Sequence, residues 1–218
     1  MPLTVMGSDL RTASLEVRDR LAFTARDLGP SLENLVRGER AIARQAVVLS
    51  TCHRTEIYAL TADEGRRLAD FLADRSGLSS ADIEASNYLY RDTEAVNHLF
   101  RVAAGLDSAI LGEAEVLGQV RHALQKAQDH RAAGSLLIRL FETALRVGKR
   151  VRSETAIARE PLSLSHVAVD LAERAAGDLS RLRLLVVGAG KVGEQAARYL
   201  AERRPGAVRI LNRDPGRA

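Results

Sequence analysis

The sequence predicts an α/β fold in two parts, and three observations carry that prediction. Short apolar runs of β character open the chain, longer stripes of helical period follow, and the C-terminal stretch reads strand, glycine turn, helix, strand. The 218 residues, 46% hydrophobic and 28% charged, suffice for a buried core and exceed the usual size of one domain. Lys plus Arg number 32 against 28 Asp plus Glu, a net charge of +4 that permits a polyanionic partner without requiring one. One cysteine excludes an internal disulfide framework, and no signal peptide or apolar run of membrane-spanning length is read. The expected compartment is the cytoplasm, and no metal site is expected.

The first strand is "LTVMGSD", closed by turn residues, and "SLEVRDRLAF" is a helix carrying Leu15, Val17, Leu21 and Phe23 behind Ser14 as its N-cap. "QAVVLST" is a second strand, and Glu56 to Leu60 continues as a third after a tight interruption that holds Cys52. From "EGRRLADFLADRSG" onward the pattern is mostly helical. Val96, Leu99, Phe100 and Ala103 share one face that stops near Gly105, and Val116, Val120, Ala123, Leu124 and Ala127 form a second stripe. A third long helix runs from after Gly134 to near Thr155. Pro161 and the serines beside it break the pattern, which places a domain boundary near residue 155 and gives domains 1–155 and 156–218.

Gly188, Gly190 and Gly193 form G-x-G-x-x-G directly after the apolar strand Leu182 to Val187 and directly before a helix. The first glycine allows the tight turn, the second lets backbone amides approach a pyrophosphate, and the third lets helix and strand pack closely. The alternative is a ligand-free glycine turn, but the flanks on both sides favour a Rossmann-type dinucleotide loop comprising Gly188, Ala189, Gly190, Lys191, Val192 and Gly193. The next strand, Val208 to Leu211, ends in Asn212-Arg213, where an acidic residue for the ribose 2′-hydroxyl of NAD usually stands. An arginine attracts a 2′-phosphate, so NADPH is the expected cofactor, with Asp214 keeping NAD open. Only two strands of that fold are read, so the domain is expected to be incomplete in this chain and its nicotinamide half absent.

Cys52 in "VVLSTCHRTEIYAL" is either a small buried strand residue or a nucleophile. His53 and Arg54 beside it predict an electropositive setting and a depressed thiol pKa. Arg54 could equally hold a substrate carboxylate in a bidentate contact. Arg146, Lys149 and Arg150 share one helix side, suited to a nucleic-acid backbone or to solvent.

"LSTCHRTEIYAL" resembles the S-T-C-N-R-T-E-I-Y segment of glutamyl-tRNA reductases. "HLFRVAAGLDSAILGEAEVLGQVRHALQKA", "GKRVRSET" and "GAGKVG" continue the resemblance in order and spacing, over the whole chain. It implies a thiol that attacks the ester of glutamyl-tRNA and an enzyme thioester that hydride from NADPH reduces to glutamate-1-semialdehyde, for tetrapyrrole synthesis. By position it implies Cys52 as nucleophile, Thr51, His53 and Arg54 at the glutamyl moiety, and His98 as a histidine important for activity. Ser108, Glu113, Ala114, Glu115 and Gln119 match its substrate-contacting segment, and Gly188 to Gly193 with Asn212 and Arg213 its NADP site. It further implies glutamate-1-semialdehyde aminomutase as a downstream partner and a homodimer built by a C-terminal domain not read in this chain.

Read from the residues alone, His98 is a partly buried helix histidine, Ser108 an N-cap in competition with Asp107, Glu113 a first-turn carboxylate and Gln119 a solvated helix position. The chain also departs from the family pattern. G-x-N-H-x-T-A-P reads here Gly7 to Ser14 with Asp9, Leu10 and Ser14 at the asparagine, histidine and proline positions. His53 replaces the asparagine after the cysteine, and Glu115 replaces a glutamine, removing a donor. Two other classes compete: an impaired relative serving as a tRNA- or protein-binding module, and an unrelated NADP-dependent dehydrogenase with a structural Cys52.

Overall fold

The computed structural model describes every residue except 39–40, 64, 114, 159–163, 215 and 217–218. The chain divides into two compact units, Met1–Arg159 and Glu160–Ala218.

The first unit is built on an antiparallel sheet of β1 (Leu3–Asp9), β2 (Ala43–Ser50), β3 (Arg54–Thr61) and β4 (Tyr88–Arg91), in the order β2-β3-β1-β4. β1 and β3 are central and buried at every position, so both of their faces carry cover. Among the described residues they are accompanied by α1 (Leu15–Leu21), α2 (Leu28–Val36), α3 (Arg66–Ser76), α4 (Ser80–Ser86), α5 (Asp92–Ala104), α6 (Glu115–Asp129) and α7 (Ser135–Glu154). Ser14 caps α1 as expected, its Oγ accepting from the Val17 amide at 3.3 Å. α2 tolerates Pro30 because its first turn needs no donated amide.

The helical reading after residue 65 needs one correction. Tyr88–Arg91 is a strand, paired antiparallel with β1 from Thr4↔Arg91 to Gly7↔Tyr88. Its four residues alternate half-buried and exposed, too short a run for period 2 to stand out among helices. Successive side chains of a strand point to opposite faces, so Arg54, Glu56 and Tyr58 share one. That face meets α5 and α7: Tyr58 packs edge-on against Phe141 of α7, ring centroids 5.2 Å apart, and Glu56 meets His98 of α5.

The second unit contains α8 (Leu164–Ala176), β5 (Arg183–Val187), α9 (Lys191–Glu202) and β6 (Ala207–Leu211). β5 and β6 pair in parallel, from Arg183↔Ala207 to Val187↔Leu211. Val169, Leu179 and Leu200 form its buried core, with Leu184, Val186, Tyr199 and Val208 packed around them. The other face of the strand pair leaves Leu185, Val187 and Leu211 exposed at 61%, 75% and 58%. Among the described residues no helix is long and apolar enough to cross a membrane.

Candidate functional site

The turn between β2 and β3 is organised by Thr51. Its amide donates to the Arg54 carbonyl at 2.8 Å, and its Oγ1 accepts from the amides of His53 and Arg54 at 3.1 and 3.2 Å. These bonds put Cys52 at the tip, exposed. Its carbonyl accepts from Arg18 Nη1 of α1 at 2.8 Å.

The expected depression of the thiol pKa is corrected. Packing around Sγ pushes the thiol up and Glu113 and Glu115 add to the rise, while a backbone hydrogen bond at Cys52 itself and, to a smaller degree, the Arg18 cation oppose it. Arg54 does not offset those carboxylates, because its side chain turns away from the tip and into the sheet.

There Arg54 is 4% exposed and donates from Nη1 to Glu56 Oε1 at 2.7 Å and from Nη2 to the Asp107 carbonyl at 2.5 Å. Glu56, fully buried, also accepts from the hydroxyls of Tyr58 at 2.6 Å and Tyr88 at 2.5 Å, and its Oε1 lies 2.9 Å from His98 Nε2. Burial would raise this carboxyl, yet His98 and Arg54 outweigh it and hold Glu56 down at about 2. Gly7 of β1, opposite Glu56, makes the room: a Cβ there would meet Glu56 Cγ at 2.7 Å and the Thr55 carbonyl oxygen at 2.6 Å.

Above this network lies a cavity of about 120 Å³ lined by Asp9, Arg11, His53, Arg54, Asp107 and Ser108, among others. Asp9 accepts from the Arg11 amide and from Nε and Nη2 of its guanidinium at 2.8, 3.0 and 2.6 Å. Arg11 and Arg101 both reach Asp107, at 3.6 and 2.8 Å. Burial raises the Asp107 carboxyl, but the bonds and charge from Arg101, then Arg11 and His98, carry it below its ordinary range. The cavity is therefore polar and charge-balanced.

The structure brings His53, Arg54 and Ser108 to this cavity. Glu113 and Glu115 it places within electrostatic reach of the thiol. His98 lies beneath the cavity, 6% exposed, its Nδ1 4.0 Å from Asp107 Oδ2, rather than among the lining residues. Gln119 is half-buried on α6 and is likewise not among the lining residues. Ala114 lies outside the described residues. Two local readings are corrected: α6 begins at Glu115, so Ser108 is no helix N-cap and Glu113 precedes the helix. The Ser108 hydroxyl is buried without a hydrogen-bond partner.

Sequence reasoning missed Asp9, Arg11, Glu56, Tyr88, Asp107 and Arg101 as parts of the site. The available signal was a Glu at alternate spacing from Arg54 in an otherwise buried strand, which demands partners.

In the second unit the shape of the loop depends on its glycines. Gly188 adopts φ +102°, and Gly193 sits so close that a Cβ would meet the Gly188 carbonyl oxygen at 2.0 Å. Gly190 caps α9, which opens with Lys191 and Val192, so free amides face outward at a helix N-terminus. The Gly188 amide donates to the Leu211 carbonyl at 2.7 Å and the Ala189 amide to Asn212 Oδ1 at 3.4 Å. Asn212 therefore ties the loop to the end of β6, with Arg213 exposed beside it. These residues fit a dinucleotide phosphate. Among the described residues no group of three His, Cys, Asp or Glu is placed to hold a metal.

The glutamyl-tRNA-Glu reductase N-terminal domain family matches residues 6–155, and the shikimate/quinate 5-dehydrogenase family matches residues 170–218. The chain is 44% identical over 220 residues to the glutamyl-tRNA reductase of Rubrobacter xylanophilus, covering 100% of this chain and 51% of that protein. It is 42% identical over 214 residues to the glutamyl-tRNA reductase of Marinobacter nauticus, covering 98% and 49%. The solved glutamyl-tRNA reductase from Methanopyrus kandleri superposes with a TM-score of 0.65 at 34% identity, covering 99% of this chain and 50% of that one. The chain thus spans about half the length of the curated relatives it matches. An α/β chain with a cysteine turn over a charged cavity, matched across its whole length by these proteins, belongs to the glutamyl-tRNA reductase family.

Proposed function

We propose that this chain carries the thioester-forming site of an NADPH-dependent glutamyl-tRNA reductase. The observation that supports the reading best is the exposed Cys52 thiol at the tip of a turn whose next two residues, His53 and Arg54, line a polar cavity. The thiol attacks the ester carbonyl carbon of glutamyl-tRNA, a C–S bond forms, and the C–O bond to the terminal ribose breaks. The thiol proton ends on the released tRNA hydroxyl, so atoms balance. The thiolate is the attacking form, and the raised thiol pKa makes it the minor species before substrate binds.

The glutamyl side chain is held by the cavity. Arg54, fixed by Glu56, and the unpartnered Ser108 hydroxyl present donors to its carboxylate, with Arg11 at 62% exposure the most solvent-facing cation there. His98 acts through Glu56 and Asp107, keeping Arg54 in place. Thr51 holds the turn, and Glu113, Glu115 and Gln119 lie on the segment facing the acceptor end.

Gly188 to Gly193 would cradle the cofactor pyrophosphate, while Asn212 orders the loop and Arg213 prefers a 2′-phosphate. When bound, NADPH would supply the hydride that replaces sulfur on the acyl carbon, giving glutamate-1-semialdehyde, NADP+ and the Cys52 thiolate. An aminomutase that consumes this aldehyde and a second copy of the chain are the proposed partners, and the cytoplasm the proposed compartment.

Intact-mass measurement after mixing with glutamyl-tRNA and acid quenching tests the reading. Wild type should gain one glutamyl group and Cys52→Ser none. An adduct undiminished in Cys52→Ser, or none in wild type, removes the nucleophile.

A further inference from the structure

Most arginines around this site are neutralised by carboxylates. Arg54 meets Glu56, Arg101 meets Asp107, and Arg11 meets Asp9. Arg18 differs. It is half-buried, its Nε is shielded from solvent with no hydrogen-bond partner, and among the described residues it meets no carboxylate. Among the described residues, its guanidinium makes one hydrogen bond, from Nη1 to the carbonyl of Cys52.

Holding a half-buried guanidinium this way is costly, since an unsatisfied donor and an unpaired charge both lose hydration. Its surroundings are nonetheless fixed. Arg20 donates to the carbonyls of Ser76 and Gly77 at the C-terminal end of α3, and Arg75 of α3 donates back to the Leu21 carbonyl at the end of α1. These bonds lock α1 against α3 and so aim Arg18 at the turn.

Resting on the reading of Cys52 as nucleophile, we propose that Arg18 is its positioning residue. Arg18 holds the Cys52 turn by its carbonyl and sets an uncompensated positive charge against the carboxylates around the thiol. The charged groups acting on Sγ are Glu113 before α6, Glu115 at its first position and Arg18 from α1; of these only Arg18 favours the thiolate, alongside a backbone hydrogen bond at Cys52 itself. It thereby limits how far the acidic segment suppresses the reactive form.

Cys52 is the one cysteine of the sequence, so alkylation by iodoacetamide reports it alone. Arg18→Gln should slow alkylation at pH 7 by about threefold or more and move the rate-pH curve upward, with circular dichroism unchanged. Arg18→Lys should keep the curve near wild type, because the charge remains, while the shorter donor set loosens the turn. Hydrogen exchange at the His53 and Arg54 amides, both bonded to Thr51, should then quicken. An alkylation curve in folded Arg18→Gln that overlays wild type overturns the electrostatic role. Unchanged exchange at those amides in Arg18→Lys overturns the holding role, and that variant still decides the holding role if Arg18→Gln does not fold. Neither readout uses glutamyl-tRNA, so failure of the nucleophile reading shows only in the missing glutamyl adduct and is told apart from failure here.

Discussion

The sheet of Met1–Arg159 buries every residue of its two central strands, whereas no residue of the two strands in Glu160–Ala218 falls in the buried class. The sites differ in the same sense. Glu56 receives partners from β3, β4 and α5 across separations of up to 42 residues. The glycine loop is held by neighbours no more than 27 residues away, Ser165 of α8 together with Leu211 and Asn212 at the end of β6, and most of its shape comes from glycines that permit it. A charged site needs tertiary walls because an unpaired buried charge is expensive; a phosphate cradle needs only backbone amides at a helix start.

The largest effect that would sharpen this contrast comes from Glu56→Ala. It strands Arg54, buried and charged, and leaves the Tyr58 and Tyr88 hydroxyls without their acceptor, so the first unit should lose about 3–5 kcal/mol in urea unfolding. The second unit should keep its exchange protection. Glu56→Gln isolates the charge. The wild-type carboxyl is depressed from 4.5 to about 2, so its contribution is fully present above pH 4.5 and fades as pH falls toward 2. The glutamine variant should therefore show a flatter acid limb across that window, with Asp107 supplying what remains. An identical acid limb would show that the network does not hold Glu56 ionised.

Gly7→Ala is the next smaller test. Its Cβ would press on Glu56 Cγ and on the Thr55 backbone, and backbone cannot rotate away. A loss of about 1–3 kcal/mol is expected, with a parallel fall in thioester yield, since displacing Glu56 displaces Arg54.

The same contrast explains what the sequence discloses. The Cys52 turn and the G-x-G-x-x-G loop are contiguous motifs, so strand, turn and helix signals suffice to find them. Glu56, His98, Asp107 and Tyr88 meet only because β1 lies between β3 and β4, and a four-residue strand among helices gives no periodic signal. The thiol pKa had the wrong expected sign for a related reason. Adjacency in sequence suggested that Arg54 served Cys52, but alternation along β3 turned it into the sheet, while Glu113 and Glu115 approached the thiol from the start of α6, distant in sequence.

The smallest effects belong to the second unit, where two adjacent valines on β5 test the comparison most directly. Val186 packs against the core of Val169, Leu179 and Leu200, whereas Val187, pointing the opposite way, is largely exposed. Threonine keeps the β-branched shape and the strand preference of valine, so the substitution isolates what each face touches. Val186→Thr places a hydroxyl against apolar neighbours and should cost about 1–2 kcal/mol, read from exchange at the β5 amides. Val187→Thr should stay within about 0.5 kcal/mol, because the hydroxyl meets water in both folded and unfolded states. Parallel strands are ordinarily covered on both faces, so this outer face is where the contrast could fail. Should Val187→Thr cost as much as Val186→Thr, and the cost grow with protein concentration, a second copy covers Leu185, Val187 and Leu211 in solution. The second unit would then be walled on that face by contact between copies, where the first is walled within one chain.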